Sequence, residues 1–221
     1  MASARELIAQ TIAQLKVVED KLLAHPYLSA IEEGRIAREK LRLFAGEQYH
    51  IINSDLRSVA LLISRQGHGP NSGFLTGILQ GEAAAQAALQ VLATELEMSE
   101  DDLGSYEPIP ACQAYPAFVA WLAAYGSAAD FAGAFLVNLP AWGSCCARMS
   151  AALKGVYGLS AEAVAFFDLF ATPPPDFEAD SLSVIQWGLD RGVDPPGIAR
   201  AARLIQAYEL MYWDALYEAC A

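Results

Sequence analysis

Apolar residues recur along this chain with the period of an α-helix. Residues 3–24 carry a stripe on one helix face, made of Ile8, Ile12, Leu15, Val18 and Leu22. Ser3 and Glu6 have the S-x-x-E spacing of a capping box, and His25-Pro26 interrupts the pattern. The chain is therefore predicted to open with an amphipathic helix.

The same period continues to the C-terminal end, without strand-like alternation, internal repeat or low-complexity tract. A loop rich in Glu, Asp, Pro and Gly is predicted over 99–110. The further predicted helices are 37–65, 74–98, 116–125, 128–157 with a bend at Pro140, 160–170, 176–191 and a last helix from Pro195. The pattern predicts one all-α domain over residues 1–221, with about eight helices in a bundle.

Three of these helices carry a polar residue inside the apolar stripe, namely Gln48, Glu82 and Glu209. A carboxylate on such a face is costly to bury unless a polar group meets it. One interpretation is a structural hydrogen bond to a neighbouring helix. The other is that the three side chains converge on an internal cavity, which is the usual place for a ligand site in a helical bundle.

Composition and charge narrow the class of protein. Hydrophobic residues make up 54% of the chain and the formal net charge is −12. Nucleic-acid binding and attachment to anionic membranes both need clustered Lys and Arg, so neither is expected. The apolar region 118–142 contains Asp130, Asn138 and Pro140, which favours a buried helix pair over a membrane span.

The chain has four cysteines, Cys112, Cys145, Cys146 and Cys220. Their spacing indicates neither a C-x-x-C redox pair nor a zinc site. No signal peptide is visible before the first helix. We therefore expect reduced thiols in a cytoplasmic protein.

Three short motifs occur in the order found in a known family. His25–Ile36, followed by Gln48–His50, resembles the opening of the TenA family; Phe131–Trp142 resembles its central helix; and Tyr208–Trp213 resembles its C-terminal Tyr-Glu-x-x-x-Trp. This resemblance implies the haem-oxygenase-like all-α fold shared by TenA, PqqC and the CADD-type oxidases. It also implies a homo-oligomer, dimeric or tetrameric.

The departures from the family pattern argue against thiaminase chemistry. Ala141 occupies the place of the family's nucleophilic cysteine, and alanine cannot attack a substrate. Gln48 occupies the place of the pyrimidine-binding aspartate, and an amide cannot take up a proton as a base. Cys145 and Cys146 lie about one helical turn further on, so relocated thiol chemistry is a weaker possibility. Only the glutamate is retained, as Glu209.

The resulting prediction is a pocket for a small organic molecule, either heteroaromatic or cofactor-like. Glu209 is the predicted catalytic residue; the predicted substrate-binding residues are Gln48, Glu82, Asn138, Trp142 and Tyr208. The first hypothesis is an enzyme that uses no metal and no cofactor. The second is a catalytically silent binding or carrier protein that kept the pocket after losing the nucleophile.

A third hypothesis is a non-haem iron oxidase of the CADD type. Glu47 and His50 have the E-x-x-H spacing of carboxylate-bridged iron proteins, and Glu82 is a further candidate ligand. However, the histidine cluster of that family is missing, with Phe170 at the place of its first histidine. The competing interpretation, which we favour, is that Glu47 and His50 form a solvated or locally bonded pair beside Ser54 and Arg57.

Overall fold

The computed structural model describes residues 3–220 and contains ten α-helices and no strand in that range. The predicted single domain also includes residues 1, 2 and 221, which lie outside the described residues. The helices are α1 (Ala4–Leu23), α2 (Pro26–Glu32), α3 (Leu41–Gln66), α4 (Pro70–Glu95), α5 (Glu100–Ser105), α6 (Ala114–Tyr125), α7 (Ala128–Gly155), α8 (Ala165–Ala171), α9 (Phe177–Leu189) and α10 (Pro195–Cys220). The prediction of an all-α fold is confirmed.

The two helices that the sequence pattern missed are the short ones, α2 and α5. His25 ends the first helix as predicted, but its ring nitrogen Nδ1 then accepts a hydrogen bond from the backbone N–H of Tyr27 and caps α2. Ser99 and Asp102 form a capping box that starts α5 inside the predicted loop. Helices of six or seven residues are too short to establish a period, so only their caps mark them.

Three other predicted helices have clearly different boundaries. The helix predicted over 74–98 is α4, Pro70–Glu95. The helix predicted from residue 37 begins with a short 3-10 turn, Arg38–Lys40, before α3 starts at Leu41. The helix predicted from residue 160 begins only at Ala165, because Ser160 caps a turn rather than the helix, accepting a hydrogen bond from the N–H of Ala163.

Helix α7 is the central element, and α1, α2, α6, α8, α9 and α10 all contact it. Its residues from Phe131 to Asn138 are all buried. Gly143 allows the close approach of α8, because a Cβ atom there would lie 2.6 Å from the carbonyl oxygen of Phe170. Pro140 lies inside the helix, as predicted, and its carbonyl accepts a hydrogen bond from Ser144 Oγ.

The apolar core consists of two clusters along α7. One surrounds Phe44, Phe166 and Trp213, and the other surrounds Phe131 and Ile198. No helix within residues 3–220 is long and apolar enough to cross a bilayer. Where the two clusters meet, the packing leaves a small internal cavity.

Candidate functional site

A cavity of about 50 Å³ lies between six helices, α3, α4, α6, α7, α8 and α10. Its apolar wall consists of Ile51, Ile52, Phe135, Leu139, Trp142 and Phe170. Its polar wall consists of Gln48, Asp55, Glu82, Tyr115, Asn138, Glu209 and Tyr212. No Lys, Arg or His is among these lining residues, so the cavity is apolar and acidic.

Glu209, on α10, is 2% exposed and both of its carboxylate oxygens have a donor. The indole Nε1–H of Trp213, one turn further along α10, donates to Oε1 over 3.1 Å. The amide Nδ2–H of Asn138, on α7, donates to Oε2. Burial raises the pKa of Glu209 to about 7, although both hydrogen bonds favour the charged form. The structure therefore holds a carboxyl group in a fixed orientation with a pKa near neutral.

Gln48 and Tyr212 link α3 to α10 at the cavity. The side-chain amide of Gln48 donates to the Tyr212 hydroxyl over 3.0 Å, and both residues are buried. Burial raises the pKa of Tyr212 well above its usual value, so the phenol stays neutral. Gln48, Glu82 and Glu209 thus all line one cavity; their roles in ligand binding stay predictions.

Among the polar lining residues, Tyr115, Tyr212 and Asp55 were not predicted as site residues, and Asp55 is the acidic one. It lies seven residues after Gln48, so it shares the buried face of α3 with Gln48, Ile52 and Val59. Its neighbours Ser54 and Arg57 are polar or charged, a pattern typical of a solvent-exposed helix surface. Asp55 is 3% exposed and its Oδ1 atom has no hydrogen-bond partner. The i+7 spacing was the available signal.

The other predicted binding residues divide into two groups. Asn138 and Trp142 line the cavity, and the Trp142 ring lies 6.2 Å from the Tyr212 ring between centroids. Tyr208 is not among the lining residues. Its ring packs against Phe118 of α6, with 5.4 Å between the ring centroids. Adjacent positions on a helix differ by about 100° in direction, so Tyr208 and Glu209 face different neighbours.

The residues considered for an iron site do not come together. Glu47 is fully buried, and its carboxylate accepts hydrogen bonds from the Tyr106 hydroxyl, the N–H of Ile109 and the side chain of Gln113. Nε2 of His50 lies 3.0 Å from the carbonyl oxygen of Tyr106. Both residues therefore fasten the segment after α5 to α3, away from Glu82.

Within residues 3–220, no three His, Cys, Asp or Glu side chains are arranged to hold a metal ion. The set of Glu47, His50 and Glu82 thus does not fit a three-ligand iron site. The expectation of a solvated or locally bonded pair beside Ser54 and Arg57 is wrong. Glu47 is fully buried, and the partners of Glu47 and His50 come from the segment after α5, at least 56 positions away along the chain.

The thiols lie outside the cavity wall. Ala141 is buried in the core, and Cys145 and Cys146 beside it on α7 are buried as well. Burial raises the pKa of the Cys145 thiol to about 12 and that of Cys146 well above its usual value. The thiolate is the nucleophilic form of cysteine, so neither residue is prepared for attack near neutral pH.

Comparison with known proteins identifies a matching family profile and solved structures with a similar fold. A profile described as the TENA/THI-4/PQQC family matches residues 12–166. No curated protein matches the chain.

Several solved structures have a similar fold. A TenA homologue from Pseudomonas syringae pv. tomato superimposes with a TM-score of 0.82 at 11% identity, covering 98% of this chain and 96% of that one. A TenA homologue from P. horikoshii gives 0.76 at 15% identity, covering 99% and 100%. A domain from Shewanella denitrificans, described as having a heme oxygenase-like fold, gives 0.73 at 15% identity, covering 95% and 90%.

Proposed function

Because this chain belongs to the TENA/THI-4/PQQC family, we propose that its internal cavity binds one small heteroaromatic or cofactor-like molecule, on which the protein acts as an enzyme without a metal. Glu209 is the residue assigned to acid-base catalysis. The observation that carries this proposal is the fixed orientation of the Glu209 carboxyl group in the cavity wall, with a pKa raised by burial to about 7.

A pKa near the working pH is what a general acid-base group needs, because the group must be able both to accept and to release a proton. Asn138 and Trp213 are neutral donors, so Glu209 is not one half of a buried ion pair. A carboxyl group held only by neutral donors can change its protonation state without leaving an opposite charge unpaired. This favours acid-base or orienting work over a purely structural role.

The cavity size restricts the ligand. At about 50 Å³, the cavity has roughly a third of the volume of an apolar cavity of about 150 Å³ that takes up one benzene molecule. One small ring therefore enters this cavity only together with a movement of the lining side chains. The aromatic side chains of Trp142, Phe135 and Tyr115 would provide stacking or edge contacts for such a ring.

Thiamin hydrolysis is not part of this proposal. Ala141 stands where the family motif has its cysteine, and neither Cys145 nor Cys146 lines the cavity. The missing nucleophile is also the observation that favours the second candidate function, a binding or carrier protein without turnover. Cytoplasmic location and assembly into a homo-oligomer, both expected from the sequence, stay proposals as well.

The test begins with the small molecules that co-purify with the protein. We expect heat-denatured wild type to release a compound of one-ring size, detected by mass spectrometry, and Ile51→Trp, which fills the cavity, to release much less. Equal release by both proteins would contradict a ligand in this cavity. Incubation with the recovered compound then separates the two candidates, since an enzyme depletes it through Glu209 and a carrier returns it unchanged.

A further inference from the structure

Two acidic residues of the cavity wall have no task in acid-base catalysis by Glu209. Asp55 extends from α3 and Glu82 from α4, and both line the same cavity as Glu209. Asp55 is 3% exposed, yet its Oδ1 atom has no hydrogen-bond partner. Buried carboxylate oxygens are normally met by donors, so an unpartnered one in a cavity wall indicates a donor that belongs to a ligand.

The two carboxyl groups also affect each other. Burial raises the pKa of Asp55 well above its usual value, and the charge of Glu82 raises it further. Burial likewise raises the pKa of Glu82. Two carboxyl groups in such proximity cannot both ionise unless a proton or a cation lies between them. Since no Lys, Arg or His lines the cavity, the protein itself supplies no cation there.

Glu209 is in a different situation. Each of its oxygens already accepts a hydrogen bond, one from Trp213 and one from Asn138. Tyr115 of α6 lines the same cavity, and its pKa is raised by burial and by the charges of Asp55, Glu82 and Glu209. Tyr115 therefore stays a neutral phenol and does not compensate the carboxylates. The carboxylate oxygen that lacks a hydrogen-bond donor thus belongs to Asp55, not to Glu209.

We propose that Asp55 and Glu82 form a second subsite of this cavity, which recognises a protonated nitrogen of the ligand, such as an amine or an amidinium group. The inference rests on the proposed function, since it concerns the same ligand. It assigns the ligand to the class of small organic cations. Carboxylate- or phosphate-bearing molecules are disfavoured, because none of the described lining residues is basic and a buried anion would find no opposite charge there.

The remaining wall fits the apolar part of such a cation. Ile51 and Ile52 lie on α3 between Gln48 and Asp55, and Phe135 and Leu139 face the cavity from α7. Gln48 and Asp55, seven residues apart on one helix face, are separated by about 10 Å along the helix axis. A planar ring carrying one charged nitrogen would cover the Asp55 end of this wall, with its charge at Asp55 and its ring against the isoleucines.

Three probes of nearly equal shape test the charge preference, namely benzamidinium, benzamide and benzoate. Their affinities are measured by titration calorimetry at pH 8 for wild type, Asp55→Asn and Glu82→Gln. Glu178→Gln is the matched control, since Glu178 is exposed and contacts only Arg5 through its carboxylate. We expect benzamidinium to bind at least tenfold more tightly than benzamide and benzoate not to bind.

The subsite variants should each weaken benzamidinium binding at least tenfold, and the control should leave it unchanged. Glu82→Gln serves as a second variant beside Asp55→Asn because Glu82 is only partly buried and its replacement perturbs the core least. Equal binding of benzamide and benzamidinium, unaffected by Asp55→Asn, would overturn the cation subsite and leave the cavity as a site for neutral ligands.

Benzoate binding would also overturn the subsite. If none of the three probes binds, the subsite is wrong, and the proposed function is then judged separately by the release experiment with Ile51→Trp. The two failures are distinguishable because that experiment does not depend on the charge of the ligand.

Discussion

Glu47 and Asp55 are two buried carboxylates on the same helix, α3, and their surroundings differ in one respect. Glu47 accepts hydrogen bonds from Tyr106, Ile109 and Gln113, so its charge is fully met by the protein. Asp55, about two turns away, has an oxygen without a partner and lines a cavity instead of a protein segment. Burial alone therefore does not distinguish structural from functional carboxylates. What separates Glu47 from Asp55 is the number of donors that the protein provides to each.

The two sites also differ in what they hold in place. The carboxylate of Glu47 fixes the segment between α5 and α6, including the backbone of Ile109, against the long helix. Asp55, Glu82 and Glu209 hold no segment in place through ion pairs; each has a pKa raised by burial. One site stabilises the fold, and the other contains carboxyl groups whose ionised form is unfavourable unless a ligand meets it. The following predictions test this contrast.

The largest effect is expected for Glu47→Ala. The substitution leaves the Tyr106 hydroxyl, the N–H of Ile109 and the side chain of Gln113 without their acceptor. We expect the free energy of unfolding to fall by about 3 kcal/mol or more, because buried donors lose their partner. Urea denaturation measures it, with the exposed Glu178→Gln as control. A loss below about 1 kcal/mol would show that Glu47 does not have the structural role assigned to it.

Next in size is the effect of Glu209→Gln on ligand affinity. The amide keeps the size of the side chain and its oxygen can still accept from Trp213. Its NH2 group can donate to the Asn138 oxygen once the Asn138 amide turns over, so the melting temperature near pH 7 should change little. A charged hydrogen bond contributes roughly 1.5–3 kcal/mol, which corresponds to a roughly 10- to 100-fold loss of affinity or turnover. Calorimetry with the co-purified compound measures it. A variant that melts several degrees lower yet binds normally would end the functional assignment of Glu209.

Asp55→Asn should raise the free energy of unfolding, whereas Glu47→Ala lowers it, and the change should be smaller. The pKa of Asp55 is raised in the folded protein, so the folded state holds its proton more tightly than the unfolded state. The resulting penalty is absent below the unfolded pKa of about 4 and grows as pH rises through the raised folded value. At pH 8 the variant should therefore be more stable than wild type by about 1–2 kcal/mol.

The check is a series of urea melts of both proteins from pH 4 to pH 8. Glu82 and Glu209 have raised pKa values as well, so wild type and variant should both lose stability with rising pH. The difference between the two curves isolates Asp55 and should be near zero at pH 4. A variant less stable than wild type at pH 8 would mean that Asp55 has a partner in solution, and the contrast with Glu47 would disappear.

The smallest effect is expected for Cys145→Ala and Cys146→Ala. Both thiols are buried outside the cavity wall, and burial raises their pKa values. Wild type should not hydrolyse thiamin or an aminopyrimidine, and neither variant should change turnover of the co-purified compound. If wild type hydrolyses an aminopyrimidine and either substitution abolishes that activity, this prediction is wrong. The nucleophile would then be a cysteine of α7.

The period of apolar residues was enough to predict most of the fold and part of the candidate site. It predicted the long helices, and it singled out Gln48, Glu82 and Glu209 because each interrupts an apolar stripe. It missed Asp55 because that residue lies among other polar residues, where an interruption is not visible. It predicted both Tyr208 and Glu209 as site residues, although only Glu209 lines the cavity. A sequence motif does not show which neighbouring helix each of its side chains contacts.

By itself, the sequence thus determined the helical period, the family resemblance and some of the polar side chains on buried faces, such as Gln48 and Glu209. Only the tertiary structure decided which of those side chains have partners. The donors to Glu47 come from residues 59 to 66 positions away, in and beside a segment without periodicity. The Asn138 donor of Glu209 is 71 positions away on another helix. Local periodicity depends on a residue's own helix, whereas the cost of a buried charge depends on what the facing elements supply.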